Sequence, residues 1–354
     1  MTLLRLVALA LSIVIVLAFS FPALARSEAD LAPSAASLRR RRLLAAVRWA
    51  VGVATLVVIA RIAVDQADEL SRVDLDIHPG WLVPAAVFTV AAGLVLPMAW
   101  RHVLAAYGWR IGRGRALRVW CLSQATRYLP TGLVAVASRV SLTAAEGVPR
   151  SVAAASLAVE TVLLLGWAAL VGAVFIPSSV IPLPIRVIVG TGAAVGLATL
   201  PWSLRGVGAR LVRVPPLAPS RLRRRELIES IGLFGLNTAL RAGRFVALAA
   251  ALLPVTGDDV PLLVGAAYAG VIAGMVGITP AGLGVREGVI AAVLADRFGL
   301  GDAAALAVAL RAWDFVFELG FLGAAAWLGR RVTGGPGRPG RTPTDPVSGP
   351  APDR

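Results

Sequence analysis

RYLPTGLVAVASR, residues 127–139, and GITPAGLGVREG, residues 277–288, share one pattern: proline, any residue, glycine, leucine, set inside a long apolar run. Proline removes a backbone donor and clashes with the preceding turn, and glycine loosens the chain, so a helix breaks at both places. In the first stretch the break leaves arms of about a dozen residues, each ~20 Å long, too short to cross a hydrocarbon core of ~30 Å. The second pattern begins 150 positions after the first, with Pro280 and Gly282 answering Pro130 and Gly132. A chain interrupted twice in the same way points to two related halves.

The arginines orient those halves. Clusters of arginine mark the cytoplasmic side of a membrane protein, and here they lie between apolar runs of span length. With Arg39–Arg42 inside, residues 43–63 run outward to a loop holding Asp65, Asp68, Glu69, Asp74 and Asp76, and residues 80–100 return to Arg101, Arg110, Arg113, Arg115 and Arg118. Residues 152–176 run outward and 183–203 inward to the cluster from Arg205 to Arg225. The stretch 119–150 then begins and ends in the cytoplasm, as a re-entrant hairpin does. In the second half residues 227–253 run outward, 303–328 run inward, and 261–295 begin and end outside. Each half reads span, span, broken hairpin, span, in opposite polarity (43–176 and 183–328). Inverted repeats with interrupted segments at matching positions are a transporter architecture, and the breaks mark the binding site.

Composition agrees. Of 354 residues 57% are apolar and 16% charged, with a mean hydropathy of +0.78. A soluble domain needs more polar cover than that, so the expected fold is an all-α polytopic membrane protein. All 35 basic residues are Arg, and the net charge is +15; their placement between apolar runs argues for orientation and against nucleic acid. Cys121 is the single cysteine, so no intramolecular disulfide forms, and the two histidines, His78 and His102, each at the end of an apolar run, offer no metal-ligand cluster by spacing. No Walker motif, Ser-His-Asp set or acidic pair sits in a loop long enough for a soluble active site, so neither enzymatic activity nor a cofactor is expected.

The ends read differently. Residues 1–42 hold an apolar segment, 3–24, followed by a basic linker; the segment fits a signal peptide ending in Ala23-Leu24-Ala25, a first helix entering from outside, or an over-long gene start. Residues 332–354, rich in Gly, Pro and Thr, read as a disordered cytoplasmic tail. Residues 43–331 form the membrane domain.

Charges at bilayer depth are costly and mark function unless they pair with one another. The candidates are Arg127, Arg139, Glu160, Arg241, Arg244, Arg286, Glu287, Arg311, Asp314 and Glu318. Pairing alternatives stand beside the functional reading: Arg311 with Asp314 three residues on, Glu160 with an arginine of either hairpin, and Arg286 with Glu160 or Glu287. Arg286 ranks first because it follows Gly284 directly after a break, where a half-helix begins and its free N–H groups point outward. Tyr128 lies beside the first break. Guanidinium binds phosphate through two parallel hydrogen bonds, so this arginine excess suits an anionic head group. Gly284, Gly288 and AGVIAGMVG, residues 269–277, have the small-residue spacing of close helix packing.

At RYLPTGLVAVASR, at LAVETVLLL around Glu160 and at TPAGLGVREG, the chain resembles the transmembrane flippase-like domain of the lysylphosphatidylglycerol synthase family, over roughly residues 45–330. The second motif is the more specific; the first has Pro130-Thr131-Gly132 in place of the commoner Pro-Gly pair. The resemblance implies a multi-pass protein of the cytoplasmic membrane that translocates a polar lipid, anionic or aminoacylated, either a phospholipid or a polyprenyl-linked lipid. On this reading the substrate-binding residues are Arg127, Tyr128, Pro130, Gly132, Arg139, Glu160, Pro280, Gly282, Gly284, Arg286 and Glu287. Full-length synthases add an aminoacyl-transferase domain after the membrane part; only about 25 residues follow Arg330, so that activity is expected to be missing. The alternative is an accessory membrane subunit for a cell-envelope enzyme making glycolipids or polyprenyl-linked products.

Overall fold

A computed structural model describes residues 78–124, 132–206, 223–276 and 284–333, and these are helical almost throughout, with no strand among them. In chain order the helices are α1 (Leu82–Ala106), α2 (Arg113–Gln124), α3 (Gly132–Ala145), α4 (Arg150–Phe175), α5 (Leu183–Gly206), α6 (Arg224–Leu252), α7 (Val260–Val276), α8 (Val285–Phe298) and α9 (Leu300–Thr333). Helix is the forced solution for apolar runs in lipid, because every backbone N–H and C=O must find its partner within the segment. Four stretches are long and apolar enough to cross: Pro79–Ala106, Arg150–Phe175, Leu183–Leu204 and Gly257–Met275. Helices α6 and α9, 29 and 34 residues, are longer still but carry charges along their length. The apolar segments 3–24 and 43–63, the acidic loop after them and both Pro-x-Gly breaks lie outside the described residues. So does the tail from 334; α9 itself continues to Thr333, two residues past the expected boundary.

The outer surface is that of a membrane protein. Val83, Val87, Val90 and Leu94 form one stripe along α1, each more than 40% exposed, and Val187, Ile188 and Val195 do the same on α5. A continuous apolar stripe of that kind is unfavourable against water and neutral against acyl chains.

The centre is the antiparallel pair α1 and α6. Arg223 N–H donates to Ala106 O (2.9 Å) and His78 N–H to Ala251 O (2.9 Å) at the two ends. Between them Ser230 Oγ donates to Ala99 O (3.1 Å) and Asn237 Nδ2 to Ala92 O (2.9 Å). The steps of seven residues keep one face of each helix on its partner over two turns at a time. Arg244 occupies the next seven-residue position after Asn237, which carries it into the protein interior, 6% exposed.

The remaining contacts come in matched sets. Helix α2 packs on α3 and α3 on α4; likewise α7 packs on α8 and α8 on α9. Helix α2 also reaches α9, the last helix of the other half, and α7 reaches α4 in the same way. An ion pair ties the start of the first short helix to the end of the second in each set: Arg115 with Glu146 (3.5 Å) for α2 and α3, Asp259 with Arg297 (2.7 Å) for α7 and α8. With 12 and 14 residues, α2 and α3 are ~18–21 Å long and cannot cross singly.

Close packing of the small-residue run is seen at Gly270, where an added Cβ would meet Ile290 at 2.7 Å and the Arg286 carbonyl at 3.1 Å. That contact brings the start of α8 against α7. Gly284 and Gly288 have nothing within 4 Å of such a Cβ, so packing is not their role. Gly284 instead adopts φ +81°, a left-handed conformation that side chains disfavour, and from it α8 begins.

Candidate functional site: a buried arginine cluster

Two groups of buried charge stand side by side. The first is closed. Arg139 on α3 holds Glu160 on α4 through two parallel hydrogen bonds, Nη1 to Oε1 (3.2 Å) and Nη2 to Oε2 (2.8 Å), and the residues are 5% and 6% exposed. The guanidinium lies over the ring of Trp100 at 4.6 Å and near that of Trp120 at 5.7 Å. Fork-to-fork hydrogen bonds and aromatic faces offset part of the desolvation of both charges. Glu160 therefore neutralises Arg139, one of the pairings open in the sequence, and it does not meet Arg286.

The second group is open. Asp314 on α9 receives a hydrogen bond from Arg244 Nη1 on α6, and its other oxygen lies 3.7 Å from Arg286 Nη1 at the first turn of α8. Arg241, one turn before Arg244, makes no hydrogen bond or ion pair among the described residues. The Nε atoms of Arg241, Arg244 and Arg286 are buried without an acceptor, as is that of Arg139, so the two groups differ in their carboxylates and in the cavity beside the second. Arg286 thus pairs across the molecule with Asp314, and among the described residues it forms no ion pair with Glu160 or Glu287. Glu287 serves the helix start instead, where its Oε2 accepts the Gly284 N–H (2.8 Å) and caps α8. Asp314 reaches two other helices, beyond the intrahelical pairing expected with Arg311.

A cavity of about 230 Å³ adjoins this group. Helix α1 contributes Thr89, Ala92 and Gly93, α2 contributes Trp120, Cys121 and Gln124, and α6 contributes Arg241 and Arg244. The fourth wall is α9, with Asp314 and Glu318 on the polar side and Phe315, Phe317 and Phe321 on the apolar side. At ~30 Å³ per water the space equals seven or eight waters, the size of a small polar group and far short of a whole lipid. Donor-rich guanidiniums beside a cavity with apolar walls are arranged to receive an anion.

A third group lies at the arginine-rich end. His102 Nδ1 is 2.8 Å from Glu226 Oε2 and 3.2 Å from Glu229 Oε2, three side chains near enough to share an ion. Histidine spacing alone predicts no such cluster; the acidic partners come from α6, more than 120 residues away. Arg110 and Arg225 already hold the second oxygen of each carboxylate, and Arg101, Arg223 and Arg224 line the same pocket, so both carboxylates are answered by ion pairs and the excess charge there is positive. Glu226 sits ahead of the apolar part of α6. Desolvation pushes its carboxyl upward, and the hydrogen bonds from His102 and Arg110 outweigh that and hold it below the ordinary carboxylate range.

Of the residues expected at the site, Arg127, Tyr128, Pro130, Pro280 and Gly282 lie outside the described residues. Gly132 is the first residue of α3. Arg139 and Glu160 are consumed by each other, Gly284 and Glu287 start a helix, and only Arg286 joins the open cluster. Ranking by distance from the breaks passes over Arg241 and Arg244. Their signal is two arginines three apart in the otherwise apolar NTALRAGRFVALAAAL, residues 237–252.

No curated protein and no solved structure matches the chain. The model of the family described as "Lysylphosphatidylglycerol synthase TM region" matches residues 47–320, well over half of the length, and that span contains both short-helix pairs, the α1–α6 seam and every residue of the arginine cluster. On that match the chain belongs to the lysylphosphatidylglycerol synthase transmembrane family.

Proposed function

We propose that this protein moves the polar head group of a lipid, a phospholipid or a polyprenyl-linked lipid, between the leaflets of the cytoplasmic membrane. The carrying observation is the cavity between α1, α2, α6 and α9, with Arg241, Arg244 and Asp314 on its wall among apolar, lipid-facing helices. A head group entering there exchanges water for guanidinium donors while its tails stay in acyl chains, which lowers the main barrier to crossing. The matched packing of α2–α3 and α7–α8, each tied at its open end by an ion pair, supports the reading as two hairpins of an inverted repeat. In this reading the lipid leaves as it entered, and no bond is made or broken.

The test is reconstitution. Purified protein in liposomes should accelerate the exposure of a fluorescent anionic phospholipid to a membrane-impermeant quencher, at least tenfold over protein-free vesicles. An unchanged rate across anionic, zwitterionic and aminoacylated lipids would contradict translocation and favour a role as an accessory subunit, which stoichiometric co-purification of an enzyme would then support.

A further inference from the structure

Within the open cluster Arg241 is the arginine that forms no ion pair with a described carboxylate. Arg244 and Arg286 divide Asp314 between them, whereas Arg241 makes no hydrogen bond or ion pair among the described residues, its Nε is buried without an acceptor, and the side chain lines the cavity. Three guanidiniums, Arg241, Arg244 and Arg286, stand around one carboxylate, Asp314, while Glu287 is engaged at the start of α8. A guanidinium withdrawn from water among apolar helices is unfavourable unless an anion accompanies it, and the cavity is the place from which an anion can approach.

We propose that Arg241 is the head-group contact of the site, and that the site takes a lipid bearing a phosphate without an amine in preference to an aminoacylated one. This rests on the translocation reading and narrows its substrate. A phosphate oxygen within reach of Arg241 gains a charge-assisted hydrogen bond from a donor that has lost its water. An aminoacyl head group brings an ammonium into the same small space, where three guanidiniums repel it at low effective dielectric. Glu318, one turn beyond Asp314, is a second carboxylate on the cavity wall and the group that would favour an ammonium.

Binding to the full chain in a non-ionic detergent tests the proposal apart from transport. The ligands are dioctanoyl phosphatidylglycerol, its lysyl ester, dioctanoyl phosphatidylcholine and inorganic phosphate, with affinity read from the concentration dependence of the unfolding temperature. Phosphatidylglycerol should bind at least tenfold more tightly than the lysyl ester and than phosphatidylcholine. Arg241→Gln should remove most of that preference, and Arg241→Lys, which keeps a charge but loses the fork, should retain part of it. Equal or tighter binding of the lysyl ester would assign the cavity to Glu318 and overturn the proposal. So would phosphatidylglycerol binding untouched by Arg241→Gln, or inorganic phosphate binding as tightly as the lipid. Selective binding with no movement in liposomes would defeat the translocation reading alone; movement of every lipid at equal rates with unselective binding would defeat this inference alone.

Discussion

Arg139 and Arg241 are both arginines held among apolar helices, and their surroundings differ in every respect that matters for function. Arg139 meets one carboxylate through two bonds, with Trp100 beneath it and Trp120 close by. Arg241 forms an ion pair with none among the described residues, and it borders a cavity beside two more guanidiniums that share a single aspartate. Equal numbers of opposite charges in a dry core make a fixed joint, here between α3 and α4. An excess of one sign beside an open space makes a binding site. Charge inside a membrane protein is therefore informative only after its partners are counted.

The contrast is strongest under removal of a carboxylate. Glu160→Gln strands Arg139 at a site where it is 5% exposed, and a loss of about 3–5 kcal/mol of stability is expected. Replacing both partners, Arg139→Leu with Glu160→Leu, should recover most of that loss, since no charge is left unanswered. A Glu160→Gln protein as stable as the wild type in chemical or thermal unfolding would erase the distinction between the two groups.

Asp314→Asn should cost less, about 1–3 kcal/mol, because Arg244 adjoins a cavity from which water or an anion can answer it. Its loss should shrink when an anionic short-chain phospholipid is present, and the loss from Glu160→Gln should not. Equal response of the two variants to the lipid, measured by unfolding temperature, would show that the cavity is not where the lipid acts.

The helices were legible in the sequence because apolar run length maps directly onto bilayer thickness. The stretch expected at 152–176 is helix Arg150–Phe175, and that at 227–253 is Arg224–Leu252. Ends moved where an arginine still makes a useful bond inside the helix: α1 passes Arg101, whose Nε donates to Ile111 O, and stops at Ala106. The half-helix start at Gly284–Arg286 was legible too, from the break that precedes it. Pair identity was not. Asp314 finds Arg244 seventy residues earlier, and Glu226 finds His102 across α1 and α6. Which of several arginines a carboxylate meets depends on the helices packed beside it, and the seven-step register of α1 on α6 is set by small contacts such as Asn237 with Ala92 that carry no charge signature.

The most direct test compares the two regions in one assay: translocation of a fluorescent anionic phospholipid in matched liposomes by Arg241→Gln and by the Arg139→Leu, Glu160→Leu double variant. The open cluster as the head-group site requires that Arg241→Gln unfold at or above the wild-type temperature and move lipid at least tenfold more slowly, while the double variant keeps a rate within about threefold of wild type. An active Arg241→Gln beside a silent but well-folded double variant would place the head group at Arg139 and Glu160 and contradict the account.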